Sequence, residues 1–221
     1  MIQSFSDITH CLYINLLERT DRRAQVEAEL RAIGISNPVR MDAIKCQNGA
    51  IGCALSHIRC LQLAKKEEWT HVFICEDDIQ FTNPPLFLSQ INKLFGNKSI
   101  RLDVVLVAGN NIPPHTKISD YCIKVNSCQT TTGYIVKSHY YDKLIHNFKE
   151  GVELLMKNPE QRTKYAIDRY WFNLQVIGNW FLITPLTVTQ SEGYSDIEKR
   201  RVDYSRMMLD IDKHQFWQSR G

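Results

Sequence analysis

Apolar residues along this 221-residue chain fall into two rhythms. Short continuous runs read as buried strands, and stretches with an apolar residue every three or four positions read as helices packed on one face. Cys11-Leu12-Tyr13-Ile14-Asn15-Leu16 is the first run. Val26, Leu30 and Ile33 follow at helical spacing, with Thr20 expected as the N-cap, Asp21 in the first turn and Gly34 closing the helix. Pro38 to Ile44 is apolar and short enough for a second strand, ending at Asp42-Ala43. Strand, helix and strand in this order predict a parallel pair with a right-handed crossover.

The next helix begins in Gly49-Ala50-Ile51-Gly52-Cys53-Ala54-Leu55-Ser56-His57 and carries an apolar stripe of Leu55, Ile58, Leu61 and Ala64. Its glycines lack the GxGxxG spacing of a dinucleotide-binding turn. A strand follows at His71 to Ile79. Asn83-Pro84-Pro85 turns the chain into a helix with Phe87, Ile91 and Leu94 on its apolar face, ending near Gly96. Asp103 to Gly109 is another buried strand, and residues 110–120 form an irregular loop. Short strands are expected at Tyr121 to Val125 and Gly133 to Val136, and Ser138 is expected to cap a helix through Phe148. Lys149 to Lys164 is polar and reads as a loop or an exposed helix. Asp168 stands among the aromatics Tyr165, Tyr170, Trp171 and Phe172, and Trp180 to Pro185 is the last buried strand. No linker breaks the pattern. One α/β domain over residues 1–200 is expected, a Rossmann-type sandwich with a nucleotide-binding first half, followed by a polar C-terminal tail at 201–221.

One strand differs from the rest. His71-Val72-Phe73-Ile74-Cys75 runs straight into Glu76-Asp77-Asp78. Unpaired carboxylates are costly in a core, so the three are expected where the strand leaves the sheet. In open α/β sheets that is the ligand-binding edge. Glu76 and Asp78 point the same way if strand geometry persists, and such a pair suits a hard cation, Mn²⁺ or Mg²⁺.

Composition narrows the field. A net charge of +3, from 27 basic and 24 acidic residues, lacks the concentrated basicity of a nucleic-acid binder. No apolar run reaches the length of a spanning helix, and Met1 to Asp7 shows no signal core. The seven cysteines form no CxxC pair and read as reduced, mostly buried thiols. The expected location is cytoplasmic, with contact at the inner face of a membrane left open.

Three segments in order, Tyr13-Ile14-Asn15-Leu16 with Arg19, Asp21 and Arg22, then Gly49 to His57, then Phe73 to Ile79, closely resemble glycosyltransferase family 25. This family includes lipooligosaccharide and collagen galactosyltransferases. Asp103 to Gly109, Thr132 to Val136, and Gln190 with Ser195-Asp196-Ile197 agree with it. The resemblance implies a GT-A-like nucleotide-binding fold, a mostly parallel central sheet, a UDP-sugar donor and a divalent metal, usually Mn²⁺. It places metal and donor phosphates at Glu76, Asp77 and Asp78.

Transfer from such a donor needs a group to offset the diphosphate's charge, assigned to a metal on Glu76 and Asp78. The nucleoside site is expected at Asn15, Leu16, Arg19, Asp42 and Ala43, with His57 lining the donor pocket. Asp168 is the candidate base for the acceptor hydroxyl of an inverting reaction. Lys199-Arg200-Arg201 and Tyr194 are candidates to close over the diphosphate. The expected activity is transfer of galactose or glucose to a glycan or protein hydroxyl. A metal-dependent nucleotide-sugar phosphoesterase and a non-catalytic sugar- or protein-binding module are the alternatives.

Overall fold

The computed structural model describes residues 2–195 and 199–213. The chain opens with β1 (Cys11–Asn15), α1 (Thr20–Ala32), β2 (Val39–Asp42), α2 (Gly49–Lys66) and β3 (His71–Glu76). Next come β4 (Ile79–Phe81), α3 (Pro84–Gly96), β5 (Val104–Leu106), β6 (Asn110–Asn111), β7 (Thr116–Lys117), β8 (Cys122–Lys124) and β9 (Cys128–Gln129). The second half adds β10 (Gly133–Lys137), α4 (Tyr141–Lys157) and three short helical pieces, α5 (Arg162–Tyr165), α6 (Ile167–Tyr170) and α7 (Phe172–Ile177). It ends with β11 (Trp180–Ile183), β12 (Val188–Gln190), β13 (Gly193–Ser195), β14 (Arg200–Val202) and α8 (Ser205–Leu209).

Eight strands form one mixed sheet in the order β2-β1-β3-β10-β5-β11-β8-β7. Strands β10 and β8 run against the other six, so the sheet is mostly parallel in direction. The expected β1-α1-β2 crossover pair is present, with Leu12 opposite Val39 and Asn15 opposite Asp42.

Strand alternation divides the core between the two faces. Phe73 and Cys75 of β3 join Tyr13, Val26, Leu30, Phe87, Ile91 and Leu94 on the α1/α3 side. Val72 and Ile74 join Leu12, Ile58, Leu61, Tyr134, Trp171 and Trp180 on the α2/α4 side. Both faces of the inner strands are covered, which is why β1, β3, β5, β10 and β11 read as apolar runs, whereas the edge strands β2 and β7 are partly exposed.

Local signals set the helix ends, with two corrections. Thr20 is already inside α1; Arg19 occupies the N-cap and makes no side-chain cap. Ser138 does not cap α4 either; it begins a 3₁₀ turn, Ser138–Tyr140, that leads into the helix. Asn83 caps α3 by accepting from the Leu86 amide, with proline in the first turn. At the end of α1, Gly34 has φ +88°, its amide donates to Arg31 O and the Ile35 amide to Leu30 O. These two bonds form a Schellman motif, whose left-handed residue suits glycine.

Residues 149–157 continue α4 instead of forming a loop, because Gly151, Val152 and Leu155 bury against the layer below. Beyond residue 200 the chain is not uniformly polar and exposed: β14 pairs with β13, and Met208 of α8 is fully buried. All seven cysteines are free, five of them buried. No helix among the described residues is long and apolar enough to cross a membrane.

Candidate active site

Strand β3 ends between β1 and β10. Its last residue keeps the strand alternation, so Glu76 continues the Val72/Ile74 face and turns toward α2. His57 Nε2 lies 3.3 Å from Glu76 Oε1, Cys53 Sγ lies 3.6 Å from the same oxygen, and the Thr131 hydroxyl donates to it. The Tyr134 hydroxyl sits 3.0 Å from His57 Nδ1. Burial acts to raise the Glu76 pKa, but the hydrogen-bonding contacts of His57, Thr131 and Cys53 outweigh it and hold the carboxyl below the ordinary range.

Asp77 faces the other layer. Asn15 Nδ2 donates to its Oδ2 at 2.7 Å, and Arg22 Nη1 lies 3.0 Å from its Oδ1. Burial raises the Asp77 pKa against these two partners. Strand geometry stops at Glu76, so Asp77 and Asp78 lie in the turn before β4 and Asp78 does not simply repeat the direction of Glu76. Asp78 Oδ2 is 3.7 Å from Arg22 Nη1, while its Oδ1 is buried and accepts no hydrogen bond. Burial first, and the neighbouring Glu76 charge second, push the Asp78 pKa up to about 8.

These carboxylates open on a cavity of about 1410 Å³. Its near wall holds Leu16, Ala43, Cys53 and His57; its far wall holds Asn110, Gln129, Thr130, Thr131, Arg162 and Asp168. The Thr130 amide donates to Asp168 Oδ2 at 3.2 Å. Burial raises the Asp168 pKa, with that amide opposing. Lys199, Met207 and Met208 line the cavity from the C-terminal segment.

The sequence-nominated residues separate into two groups. Leu16, Ala43, His57, Glu76, Asp77, Asp78 and Asp168 reach the cavity. Asn15, Arg19 and Asp42 do not line it. Asn15 is buried, bonds Asp77 and the Arg19 carbonyl, and accepts from Arg40 Nε. Arg19 pairs with Asp21, and Asp42 is exposed and pairs with Arg40. Asp196 and Ile197 lie outside the described residues, as does Glu198. Tyr194 is half-exposed, and its carbonyl accepts from Arg22 Nη2. Trp171 and Trp180 are fully buried core.

Sequence reasoning missed the part played by Arg22, Cys53 and Thr131. The helix spacing of Cys53 and His57, four residues apart, was the available signal for the second. The Gly49–His57 motif has a physical reading throughout. A Cβ on Gly52 would sit 2.3 Å from Ile44 O, and Ser56 accepts from the Ile44 amide while donating to Gly52 O. Glycine and serine hold the Ala43-Ile44 wall against α2, and Cys53 and His57 reach Glu76.

An α/β sheet delivers carboxylates to one large cavity with this motif behind them, and the sequence match places the chain in a class, the glycosyltransferases. More closely, the sequence model of glycosyltransferase family 25 (LPS biosynthesis protein) matches residues 42–168, and the chain belongs to that family. No curated protein matches the chain. Among solved structures, it is similar to a glycosyltransferase involved in glycosylation of the major capsid of PBCV-1, at 13% identity and TM-score 0.49, over 87% of this chain and 96% of the other. It is also similar to a mutant Drosophila β-1,4-galactosyltransferase 7 in complex with manganese, UDP-Gal and xylobiose. That match has 12% identity and TM-score 0.38, over 62% of this chain and 52% of the other.

Proposed function

We propose that the chain transfers a hexose, galactose or glucose, from a UDP-sugar to a hydroxyl of a glycan or protein acceptor, with inversion at the anomeric carbon. The family description supports a lipopolysaccharide-type glycan as acceptor. One observation carries the reading: the Glu76-Asp77-Asp78 tip and Asp168 open on the same cavity from different elements. Leu16 and Ala43, at the ends of β1 and β2, wall the nucleoside side. Asn15 steadies Asp77, and Arg40 links Asn15 to Asp42.

The residues fit a hard divalent cation, Mn²⁺ or Mg²⁺. Asp78 Oδ1 is buried and accepts no hydrogen bond, and it shares the cavity with Glu76. When bound between Glu76 and Asp78, such an ion would supply Lewis-acid stabilisation to the departing diphosphate. The chain's own groups do the rest. His57 and Thr131 fix Glu76, and Arg22 and Asn15 fix Asp77. Asp168 takes the acceptor proton as the acceptor oxygen bonds to the anomeric carbon and the bond from that carbon to the diphosphate breaks. The far wall excludes water, which would otherwise hydrolyse the donor. Seven free thiols favour a reducing, cytoplasmic compartment for this chemistry, acting on acceptors at the inner face of a membrane.

The test is a thermal-shift and calorimetric panel of UDP-galactose, UDP-glucose, UDP-N-acetylglucosamine, GDP-mannose and CMP-sialic acid, each with and without Mn²⁺. Stabilisation by a UDP-hexose only when Mn²⁺ is present supports the reading. Donor hydrolysis at full rate without acceptor would replace it with a phosphoesterase. Silence toward every donor would replace it with a binding module.

A further inference from the structure

Cys53, His57 and Glu76 bring one ligand atom each within 4.8 Å of one another, and no other three His, Cys, Asp or Glu residues among the described residues do so. Cys53 and His57 project from the same face of α2, and Glu76 meets them from the end of β3. The distances carry chemical information. A 3.3 Å separation between His57 Nε2 and Glu76 Oε1 is long for a hydrogen bond between these groups. Tetrahedral bonds of about 2.0–2.3 Å set neighbouring ligand atoms roughly 3.3–3.7 Å apart. The two edges seen here are 3.3 Å and 3.6 Å.

The surroundings also fit. Metal-bound histidine is commonly anchored through its other ring nitrogen. His57 Nδ1 is anchored by the Tyr134 hydroxyl, on a ring that is fully buried. The Thr131 hydroxyl holds Glu76. Cys53, His57 and Glu76 line the cavity, which provides an entry path.

We propose that Cys53, His57 and Glu76 form a site for a thiophilic divalent cation of the Zn²⁺ class. One sulfur, one imidazole nitrogen and one carboxylate oxygen with a fourth position open are a zinc donor set. Thiolate and imidazole favour such ions over Mn²⁺ and Mg²⁺, which take all-oxygen sites. On binding, Cys53 loses its thiol proton through the cavity to solvent. The His57 proton resides on Nδ1, donated to the Tyr134 oxygen, and Nε2 gives its lone pair to the ion. One proton leaves per ion bound. Nothing is oxidised. Because Glu76 belongs to both sites, occupation by zinc withdraws it from the hard-ion site. Zinc therefore inhibits transfer in competition with Mn²⁺. The site stands on its own geometry; only this inhibitory consequence rests on the transferase reading.

The experiment is a Co²⁺ titration of the full chain, followed by absorption. Expected are a sulfur-to-cobalt charge-transfer band in the near ultraviolet that saturates at one ion per chain, its displacement by equimolar Zn²⁺, and its displacement by Mn²⁺ only in large excess. The band should vanish in Cys53→Ser and persist in Asp78→Asn. X-ray absorption on the zinc-loaded wild-type chain should show one sulfur at about 2.3 Å, which depends on no variant folding. Absence of the charge-transfer band, its survival in Cys53→Ser, or a zinc shell of nitrogen and oxygen alone would overturn the proposal. The transferase reading fails separately, in the donor panel, without changing the cobalt spectrum.

Discussion

Arg22 Nη1 lies 3.0 Å from Asp77 Oδ1, and the same guanidinium donates through Nη2 to the Tyr194 carbonyl at 2.8 Å. One side chain on α1 thus ties the tip of β3 to β13, which arrives late in the chain. Both partners of the ion pair are largely buried, at 14% and 11% side-chain exposure. Arg22→Ala leaves Asp77 without its cation in a desolvated setting. The expected loss is about 2–4 kcal/mol in urea unfolding. A double-mutant cycle with Asp77→Asn should recover part of it, since the stranded charge is then gone; simple additivity would show that the pair is not coupled.

Asp78→Ala should abolish Mn²⁺-dependent donor binding in calorimetry while the fold survives. The carboxylate it removes is one that burial and Glu76 already disfavour as an ion. The variant should therefore melt no lower than the parent in metal-free buffer. Retained Mn²⁺ dependence would remove Asp78 from the metal site.

His57→Ala strips Glu76 of a contact that helps keep it ionised against burial. Loss of such a supporting group typically lowers metal affinity 10- to 100-fold. Donor binding at saturating Mn²⁺ should recover in part, whereas donor binding at limiting Mn²⁺ should collapse. Equal weakening at both metal concentrations would mean that His57 acts elsewhere.

Asp168 gives two pH signatures of opposite sense. As the base it must be ionised, so kcat/KM should fall on acidification through a pKa raised above the ordinary 3.8. Stability runs the other way. A carboxyl whose folded pKa exceeds its unfolded one contributes fully below the unfolded value, and that contribution is lost as pH rises through the folded one. Asp168→Asn keeps an acceptor for the Thr130 amide. It should abolish turnover yet raise the melting temperature at neutral pH, a gain that shrinks toward pH ~4. A variant that keeps both activity and the acid limb would exclude Asp168 as the base.

Gly52→Ala would place a methyl 2.3 Å from Ile44 O, a backbone atom. The helix or the Ala43-Ile44 wall must shift. A cost of about 1–3 kcal/mol is expected in denaturant unfolding. Weaker donor affinity should accompany it, because Ala43 and Ile44 line the cavity.

What could be read in the sequence follows from how local the cause was. The β1-α1-β2 unit, the Asn83-Pro84 start of α3 and the Gly34 stop of α1 all answer to neighbours within a few residues. The tip of β3 was legible because three carboxylates cannot follow five buried residues into a core. Long-range pairing was not legible. Nothing near Asn15 in the sequence announces its bond to Asp77, 62 positions away. Arg22 reads as a helix-surface charge until β13, 172 positions away, folds against it. Residues 149–157 looked polar because only one face of α4 is buried. The far wall of the cavity, from Asn110 to Asp168, is assembled from very short strands and helical pieces whose periodicity is too brief to register.

The split of neighbouring carboxylates, Glu76 into the α2 layer and Asp77 into the α1 layer, has an evolutionary consequence. The two sides of the cavity are founded on different cores, so mutations can accumulate beneath one without disturbing the other. Substitutions under α2 retune the Glu76 wall and its contacts to Cys53, His57 and Thr131. Substitutions under α1 retune the Asp77 wall and, through Arg22, the late hairpin. Descendants of one such chain can thus diverge on one side of the cavity while conserving the other, by drift confined to a single helical layer.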